Sequence, residues 1–379
     1  MKIAYLANAG SVHFTRWYEY FIKKGHDVHL ITGNTCDLKF RVDLPGLTVH
    51  ELPEFRVRNR ILSFVVNLIV LPLIIKKLRR FLAEINPDIV HAHQVYPYGF
   101  WGALAGLRPL AVTPTGSDVI IMPTKYYAYR KLTEYVLGRA DLVTGDSIVL
   151  KDSCEKYGLK TAYKLVQNGV DLKNYPFGMR KKIVRKRFGL EDSSPVIFYS
   201  RAFLPLYNVD VIIRSIPFIV RKYPKARFMF AHHAGFMKGQ LQAIVDELNV
   251  GDHVVFTGLI DHSEMPQYYA TADLSVSIPS SDSSPHSVYE SMACGVPTII
   301  SSLPWTRHAM RHGENTYMVQ EIEPQELANA VEAVLENQVM REKIIKGGRE
   351  TVEKYFSYED NMARMEGLML GLINDGGRH

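Results

Sequence analysis

The sequence predicts two doubly wound α/β units in tandem, and three observations carry that prediction. The first 32 residues read strand, loop, helix and strand, and the same alternation restarts near residue 196. The third is length: 379 residues exceed what a single hydrophobic core normally serves.

In the first half, Ile3–Ala7 is a short apolar run interrupted by Asn8-Ala9-Gly10-Ser11, and Thr15–Lys24 then carries Trp17 and Phe21 at helical spacing. Gly25 stops that helix and Val28–Thr32 reads as the next strand. A right-handed βαβ unit of this kind builds a parallel sheet covered by helices. Further strands are expected at Asp88–His93, Ala111–Thr113 and Leu142–Thr144. In the second half, strands are expected at Val196–Ser200, Ala226–Ala231, Val254–Thr257, Leu274–Ile278 and Thr298–Ser301. Helices are expected at Asn208–Lys222, Gly239–Leu248 and Ser287–Ala293. A boundary is expected within Asn168–Arg180, where Gly, Pro and turn residues collect, and the tail Asn374–His379 reads as disordered. In such sheets ligands bind at the carboxyl ends of the strands.

Composition narrows the function. With 47% hydrophobic and 22% charged residues, the chain is neither disordered nor fibrous. Its net charge of +6 is unevenly placed: 22 Lys and Arg stand against 14 Asp and Glu through residue 164, and 23 against 25 beyond it. A basic half admits nucleic acid, an anionic membrane or a phosphorylated ligand. Nucleic acid is set aside, because no zinc-knuckle spacing, RRM aromatic motif or basic heptad helix occurs. Cys36, Cys154 and Cys294 are odd in number and widely spaced, which argues against a disulfide framework and for a reducing compartment. The opening MKIAYLANAG is too soon broken to be a signal peptide, so the expectation is a cytoplasmic protein, with peripheral attachment to the inner face of the plasma membrane as its extension.

Residues 56–80 suggest that extension. Arg56, Arg58 and Arg60 precede the apolar run Ile61–Ile75, and Lys76, Lys77, Arg79 and Arg80 close it. The run contains Pro72 and is too short to span a bilayer. It reads either as a helix packed on the first sheet with a basic end, or as a segment lying on an anionic membrane surface.

The most informative chemistry lies in Ser280–Thr298. A serine-rich loop leaves a strand and enters a short helix ended by Gly295 and Pro297. Small residues let backbone approach a ligand, and first-turn N–H groups favour anions. Asp282 sits on the loop and Glu290 on the helix, so the pair can grip two parts of one ligand, and carboxylates suit sugar hydroxyls.

An acidic residue, seven residues, a glutamate and then G-x-P resembles the hallmark of the family 4 retaining glycosyltransferases, supplied here by Asp282, Glu290 and Gly295-Val296-Pro297. Other segments extend the resemblance over nearly the whole chain: Asn8–Ser11, His13–Trp17, Gly25–Val28, Pro87–His93, Thr115–Asp118, Gln167–Asp171 and His312–Asn315. The resemblance implies the GT-B architecture, two Rossmann-like domains whose parallel sheets face an interdomain cleft. It implies an acceptor-binding domain over 1–172, a nucleotide-sugar domain over 173–357, and a C-terminal helix within 358–379 packing back toward the first.

It further implies that Arg201 neutralises the leaving diphosphate, Asp282 contacts the transferred sugar and Glu290 holds ribose hydroxyls. These three are the catalytic candidates. Gly10, Gly258, Leu259, Ser284, His286, Ser287 and Val288 join Arg201 and Glu290 as donor contacts, and His13, His93 and Thr115 line the acceptor side. The implied donor is a UDP- or GDP-type sugar and the implied acceptor a saccharide or lipid-linked hydroxyl in polysaccharide or glycolipid synthesis. No cofactor and no metal are expected, since the chain has no D-x-D motif. His91 and His93 share a strand face but find no third ligand in the sequence, while His232 and His233 replace a glycine-rich turn of relatives and fall near the expected nucleotide.

The chain departs from the family pattern at Tyr207, where relatives usually have a lysine, at Asp282, shorter than the usual glutamate, and at Thr115, where many have histidine. Tyr207 motivates the alternative, a non-catalytic relative that binds nucleotide sugar or glycan as a scaffold. A nicotinamide enzyme is excluded, because Asn-Ala-Gly-Ser and not G-x-G-x-x-G follows the first strand.

Overall fold

The computed structural model describes residues 1–33, 43–53, 60–106, 108–179, 182–231 and 235–376. Cys36, Arg56, Arg58, His232, His233 and the last three residues of the tail lie outside them. Among the described residues, thirteen strands form two parallel sheets. The first sheet comprises β1 (Lys2–Leu6), β2 (Asp27–Gly33), β3 (Leu47–Leu52), β4 (Ile89–His93), β5 (Leu110–Thr113), β6 (Leu142–Gly145) and β7 (Tyr163–Leu165), in the order 3-2-1-4-5-6-7. The second comprises β8 (Val196–Tyr199), β9 (Arg227–Ala231), β10 (Val254–Gly258), β11 (Leu274–Ser277), β12 (Thr298–Ser301) and β13 (Tyr317–Val319), in the order 10-9-8-11-12-13.

The chain divides into two compact units, Met1–Asn168 with Asp360–His379, and Gly169–Glu359. The division therefore falls ahead of the boundary placed after residue 172, and most of the C-terminal helix counts with the first unit.

In the first unit, β4 is buried along its whole length and β1 from Ile3 onward, as strands covered on both faces must be. One face of the sheet packs Leu6, Val90, Ala92 and Val112 against Ile74, Leu78 and Leu82 of helix Arg60–Ile85. From Arg60 on, the basic apolar stretch is thus one helix through Pro72, packed on the sheet along one side. No helix among the described residues is long and apolar enough to cross a membrane. The other face carries Tyr5, His91 and His93 toward Phe14, Trp17 and Tyr18 of helix Val12–Lys23. Helix Tyr358–Gly376 buries Met362, Met365 and Met369, one stripe at three- and four-residue spacing. It is tied to the unit by Glu366, which accepts from Tyr20 Oη (3.0 Å) and pairs with His26 Nε2 (2.6 Å).

In the second unit, helix Val209–Lys222 places Val209, Ile212, Ile213, Ile216 and Ile219 on one face and helix Pro324–Glu336 places Leu327, Val331 and Val334. They cover Ile197, Tyr199, Phe228 and Val276 of the sheet. Each such aliphatic side chain, taken fully out of water, contributes about 1.5–3 kcal/mol.

Strand order reverses between β1 and β4 in the first sheet and between β8 and β11 in the second, and the crevice outside such a reversal is where doubly wound sheets hold ligands. The segments there are Ala7–Ser11 and His93–Val95 in the first unit, and Ser200–Arg201 and Ile278–Ser287 in the second.

Candidate functional site

At the second reversal, Arg201 leaves the end of β8 and meets the loop that leaves β11. Its Nη1 donates to Asp282 Oδ2 at 2.5 Å and to Ser277 Oγ at 3.4 Å. The ion pair is sheltered but not sealed, with 14% of the Arg201 side chain and 11% of Asp282 exposed. Asp282 Oδ1 also accepts the backbone N–H of Ser283 (2.8 Å) and Ser284 (3.3 Å), so one carboxylate fixes both the cation and the loop.

Tyr207 completes this group. Its ring centroid lies 4.2 Å from the Arg201 guanidinium carbon, within cation–π range. Burial works against the charge on Arg201, but the Asp282 carboxylate and Tyr207 outweigh it and hold its pKa above the ordinary arginine value. The short turn Pro205–Tyr207 is held by Asn208, which adopts φ 50°, a left-handed backbone that asparagine tolerates. Asn208 Nδ2 donates to Ile278 O (2.8 Å) and Ser280 Oγ (2.9 Å), and Ser280 N donates to Leu206 O (2.9 Å). The turn after β8 is thereby clipped to the loop after β11.

Glu290 lies in helix His286–Ala293 and is buried. The Tyr269 hydroxyl stands between Glu290 Oε2 (3.1 Å), Ser287 O (3.1 Å) and Ser200 Oγ (2.8 Å). Glu290 and the Ser287 carbonyl can only accept, so Tyr269 shares its single proton between them and Ser200 donates to it. Burial first, and the Glu290 charge second, push the Tyr269 pKa well above that of a free tyrosine, so this proton stays in place. Tyr289 stacks on Phe356 with centroids 3.9 Å apart, and Arg349 Nη1 donates to Ala293 O at 2.8 Å, which fixes the helix from its far side. Gly295 ends it at φ +76°, where a Cβ would also stand 2.7 Å from Phe177 Cε2.

The other assigned positions of this unit fall around that group with different standing. Ser287 Oγ is buried and has no hydrogen-bond partner among the described residues. Val288 N–H is engaged by Pro285 O at 3.0 Å, and His286 begins the helix. Gly258 ends β10 at φ +76°, and Leu259 beside it is exposed.

At the first reversal two enclosed imidazoles stand where the second unit has its ion pair. His93 is wholly enclosed, with its ring 3.9 Å from Phe14, 5.2 Å from Trp17 and 5.3 Å from Tyr5, centroid to centroid. Neither ring nitrogen has a hydrogen-bond partner among the described residues. Burial, and then the neighbouring His91, hold the His93 pKa well below 6.5, and burial pushes His91 down to about 3. His91 Nε2 is paired with Thr113 Oγ1 at 2.7 Å. Instead of lining an open surface, His93 therefore sits under helix Val12–Lys23, because it shares a strand face with His91 and Tyr5. Gly10 N–H is engaged by Asn8 Oδ1 at 2.9 Å. The His13 side chain lies outside the described residues. Thr115 is exposed, and its N–H (3.0 Å) and that of Gly116 (2.9 Å) go to Asp118 Oδ1, while Asp118 Oδ2 takes Val95 N–H at 2.8 Å.

Comparison with known proteins decides the family. The model of the "Glycosyl transferase 4-like" family matches residues 2–147, and that of "Glycosyl transferases group 1" matches residues 180–351. The chain belongs to the family 4 glycosyltransferases. It is 22% identical over 361 residues to N-acetyl-alpha-D-glucosaminyl L-malate synthase of Bacillus anthracis, covering 93% of this chain and 91% of that one. It is 22% identical over 294 residues to phosphatidyl-myo-inositol mannosyltransferase of Mycobacterium tuberculosis, covering 74% and 73%. Among solved structures, Anabaena Alr3699/HepE in complex with UDP and glucose aligns with a TM-score of 0.76 at 17% identity, over 98% of this chain and 100% of that one. The fold is GT-B.

Three residues of this glycosyltransferase carry more of the site than their sequence context announces. Tyr269 links the Glu290 helix to the end of β8, Asn208 clips the two loops, and Asp118 ties the segment after β4 to Thr115. The only signal for Asn208 is the turn composition Pro205-Leu-Tyr-Asn, and for Tyr269 none stands out from an ordinary amphipathic helix.

Proposed function

We propose that this glycosyltransferase moves a sugar from a UDP- or GDP-type donor to a hydroxyl of a lipid-linked or membrane-proximal saccharide, in glycolipid or polysaccharide assembly, with retention of the anomeric configuration. The observation that carries this reading is the Arg201–Asp282 pair at the reversal of the second sheet, beside the Tyr269–Glu290 bond. Names of relatives support the acceptor class, one of them a phosphatidylinositol mannosyltransferase, and the UDP of Alr3699/HepE supports the donor class.

In the proposed reaction the bond between the anomeric carbon and the diphosphate oxygen breaks, and a bond to the acceptor oxygen forms on the same face. The acceptor proton passes to a diphosphate oxygen, so no protein base is required. Charge develops on the leaving diphosphate, where Arg201 is already fixed and a preorganised cation acts without reorganisation. In this reading Asp282, held by the loop N–H groups, accepts from a sugar hydroxyl, and Glu290, held by Tyr269, from the ribose. In this proposal Arg201 supplies the cation, and no metal or other cofactor takes part.

Incubation with UDP- and GDP-sugars, followed by NMR of the product anomer, tests the reading. An α-donor giving an α-product supports it, and an inverted product overturns retention. Tight nucleotide-sugar binding without transfer across lipid and saccharide acceptors would favour the scaffold that Tyr207 motivates.

A further inference from the structure

Apart from Leu370, every exposed large apolar side chain described in the first unit falls in two segments. Ile69 (72% exposed) and Leu73 (62%) stand on the outer face of helix Arg60–Ile85. Ile121 (54%), Tyr126 (45%) and Tyr127 (73%) lie at the turn leading into helix Tyr127–Leu137. Cations accompany both groups. Lys76, Lys77 and Lys125 have no carboxylate partner among the described residues, whereas Arg80 pairs with Glu84, and Arg130 and Lys131 pair with Glu134.

The charge of the chain is concentrated in the same places. No Asp or Glu occurs from residue 55 to 83 or from 119 to 133. These stretches hold 10 of the 22 basic residues before residue 165, which leaves 12 basic against 14 acidic elsewhere in that half. The whole basic excess of the first half therefore sits in them.

Topology brings the two segments to one rim. Helix Arg60–Ile85 joins β3 to β4 and helix Tyr127–Leu137 joins β5 to β6, in a parallel sheet. Each must start at the carboxyl end of a strand and run back alongside the sheet. Both helices also contribute to the core on the same sheet face, through Ile74 and Leu78 from one and Val136 and Leu137 from the other. Leu73 stands twelve residues back from the end of its helix at Ile85 and Tyr127 ten back from Leu137, about 18 and 15 Å at 1.5 Å per residue, so the exposed apolar residues of both helices lie at like height toward the carboxyl-end rim of one face.

We propose that this rim docks on an anionic lipid bilayer. Ile69, Leu73, Ile121, Tyr126 and Tyr127 enter the headgroup region, and Lys76, Lys77 and Lys125 meet lipid phosphates. Amphipathic aromatic rings with lysines alongside suit that depth, where the apolar body is buried and the charged tip stays wet. Lys125 Nζ already lies 5.5 Å from the Tyr126 ring and Lys131 Nζ 5.6 Å from Tyr127. The proposal extends the membrane-proximal acceptor proposed above, but docking is measured without any transfer.

The test is flotation of the full chain with vesicles of phosphatidylcholine alone or of equimolar phosphatidylcholine and phosphatidylglycerol. Binding is expected only to the mixed vesicles. Tyr126→Ser with Tyr127→Ser is expected to weaken it roughly tenfold or more. Each of Lys76→Ala, Lys77→Ala and Lys125→Ala is expected to cost about fivefold. Val339→Ser, at an exposed apolar position of the other unit, is expected to bind like the wild type. Equal binding to neutral vesicles, or undiminished binding by the tyrosine double variant, overturns the proposal, the latter leaving only a general polyanion surface. A thermal shift with UDP- or GDP-sugar, run on the same variants, reports the donor reading separately, so failure of either leaves the other readable.

Discussion

At the reversal of the second sheet, a guanidinium and a carboxylate lie across the ends of β8 and β11 with water still in reach. At the matching reversal of the first, helix Val12–Lys23 closes aromatic rings over two imidazoles that water does not touch. Strand order around the two points is the same, 2-1-4 and 9-8-11. Topology therefore sets where a ligand crevice forms, and the residues after the strand ends set its chemistry. In the second unit the charges are partnered yet partly exposed, so an incoming anion can share Arg201 without first drying a charge. In the first, burial keeps the two enclosed histidines neutral, so they offer an anion no cation. In the proposed reaction, it is therefore Arg201 of the second unit that meets the developing negative charge.

The sharpest way to break this contrast is to remove the cation. Arg201→Ala is expected to lower kcat by about 10²–10³-fold, the usual loss when one fixed transition-state donor is deleted. His93→Phe, which leaves the second unit intact, is expected to keep nucleotide affinity unchanged. Single-turnover transfer and nucleotide titration check both. If Arg201→Ala stayed within tenfold of wild type, the charge asymmetry between the units would have no catalytic meaning.

Acid separates the units next. His91 and His93 are neutral in the folded first unit and recover an ordinary pKa of about 6.5 when it unfolds. The unfolded chain thus binds more protons as pH falls below that value, so their contribution is fully present above about pH 6.5 and is lost on acidification. The slope is expected to reach about 1.4 kcal/mol per pH unit for each imidazole. Urea melts at pH 7 and pH 5 should show the first unit weakening more than the second, and His93→Phe should reduce that difference. Equal acid sensitivity in wild type and His93→Phe would mean that His93 is not held neutral by burial.

The two units were not equally legible in the sequence, nor were the middles and edges of their sheets. Central strands announce themselves, since β1, β4, β8 and β11 are buried along nearly all their length and carry apolar residues broken only by small or neutral polar ones after Lys2. The strands no apolar run announces are edges: β3, half exposed in Leu-Thr-Val-His-Glu-Leu, and β7 and β13, three residues each, too short for any periodicity. Arg201, Asp282 and Glu290 were legible because the Asp282–Pro297 spacing is local and Arg201 directly follows an apolar strand. Tyr269 and Asn208 were not, because their roles exist only where β8 and β11 lie side by side. His93 could be placed at a strand end, but its enclosure depends on a helix that begins about eighty residues earlier, and no local pattern encodes that.

A smaller effect tests how the second unit manages with one cation where the family usually has two. Tyr207 stacks on Arg201 while Asp282 grips it from another side, so the guanidinium is held before any ligand arrives. A ring in this geometry is worth about 0.5–2 kcal/mol, which corresponds to roughly two- to thirtyfold in a rate or binding constant. Tyr207→Phe keeps the ring face and is expected to stay within about threefold of wild type. Tyr207→Leu loses the face and is expected to fall through that range in kcat, with KM for the donor moving less, because a displaced Arg201 fails the developing charge more than the bound ground state. Tyr207→Lys restores the family's second cation but beside the first, where the Tyr207 ring now lies 4.2 Å from the guanidinium and where like charges at about 4 Å repel by about 1 kcal/mol in water and more when sheltered. It is therefore expected to bind nucleotide more tightly at low salt without recovering the rate of Tyr207→Phe. If lysine instead outperformed both phenylalanine and tyrosine, the stack would be incidental and Tyr207 merely a missing cation.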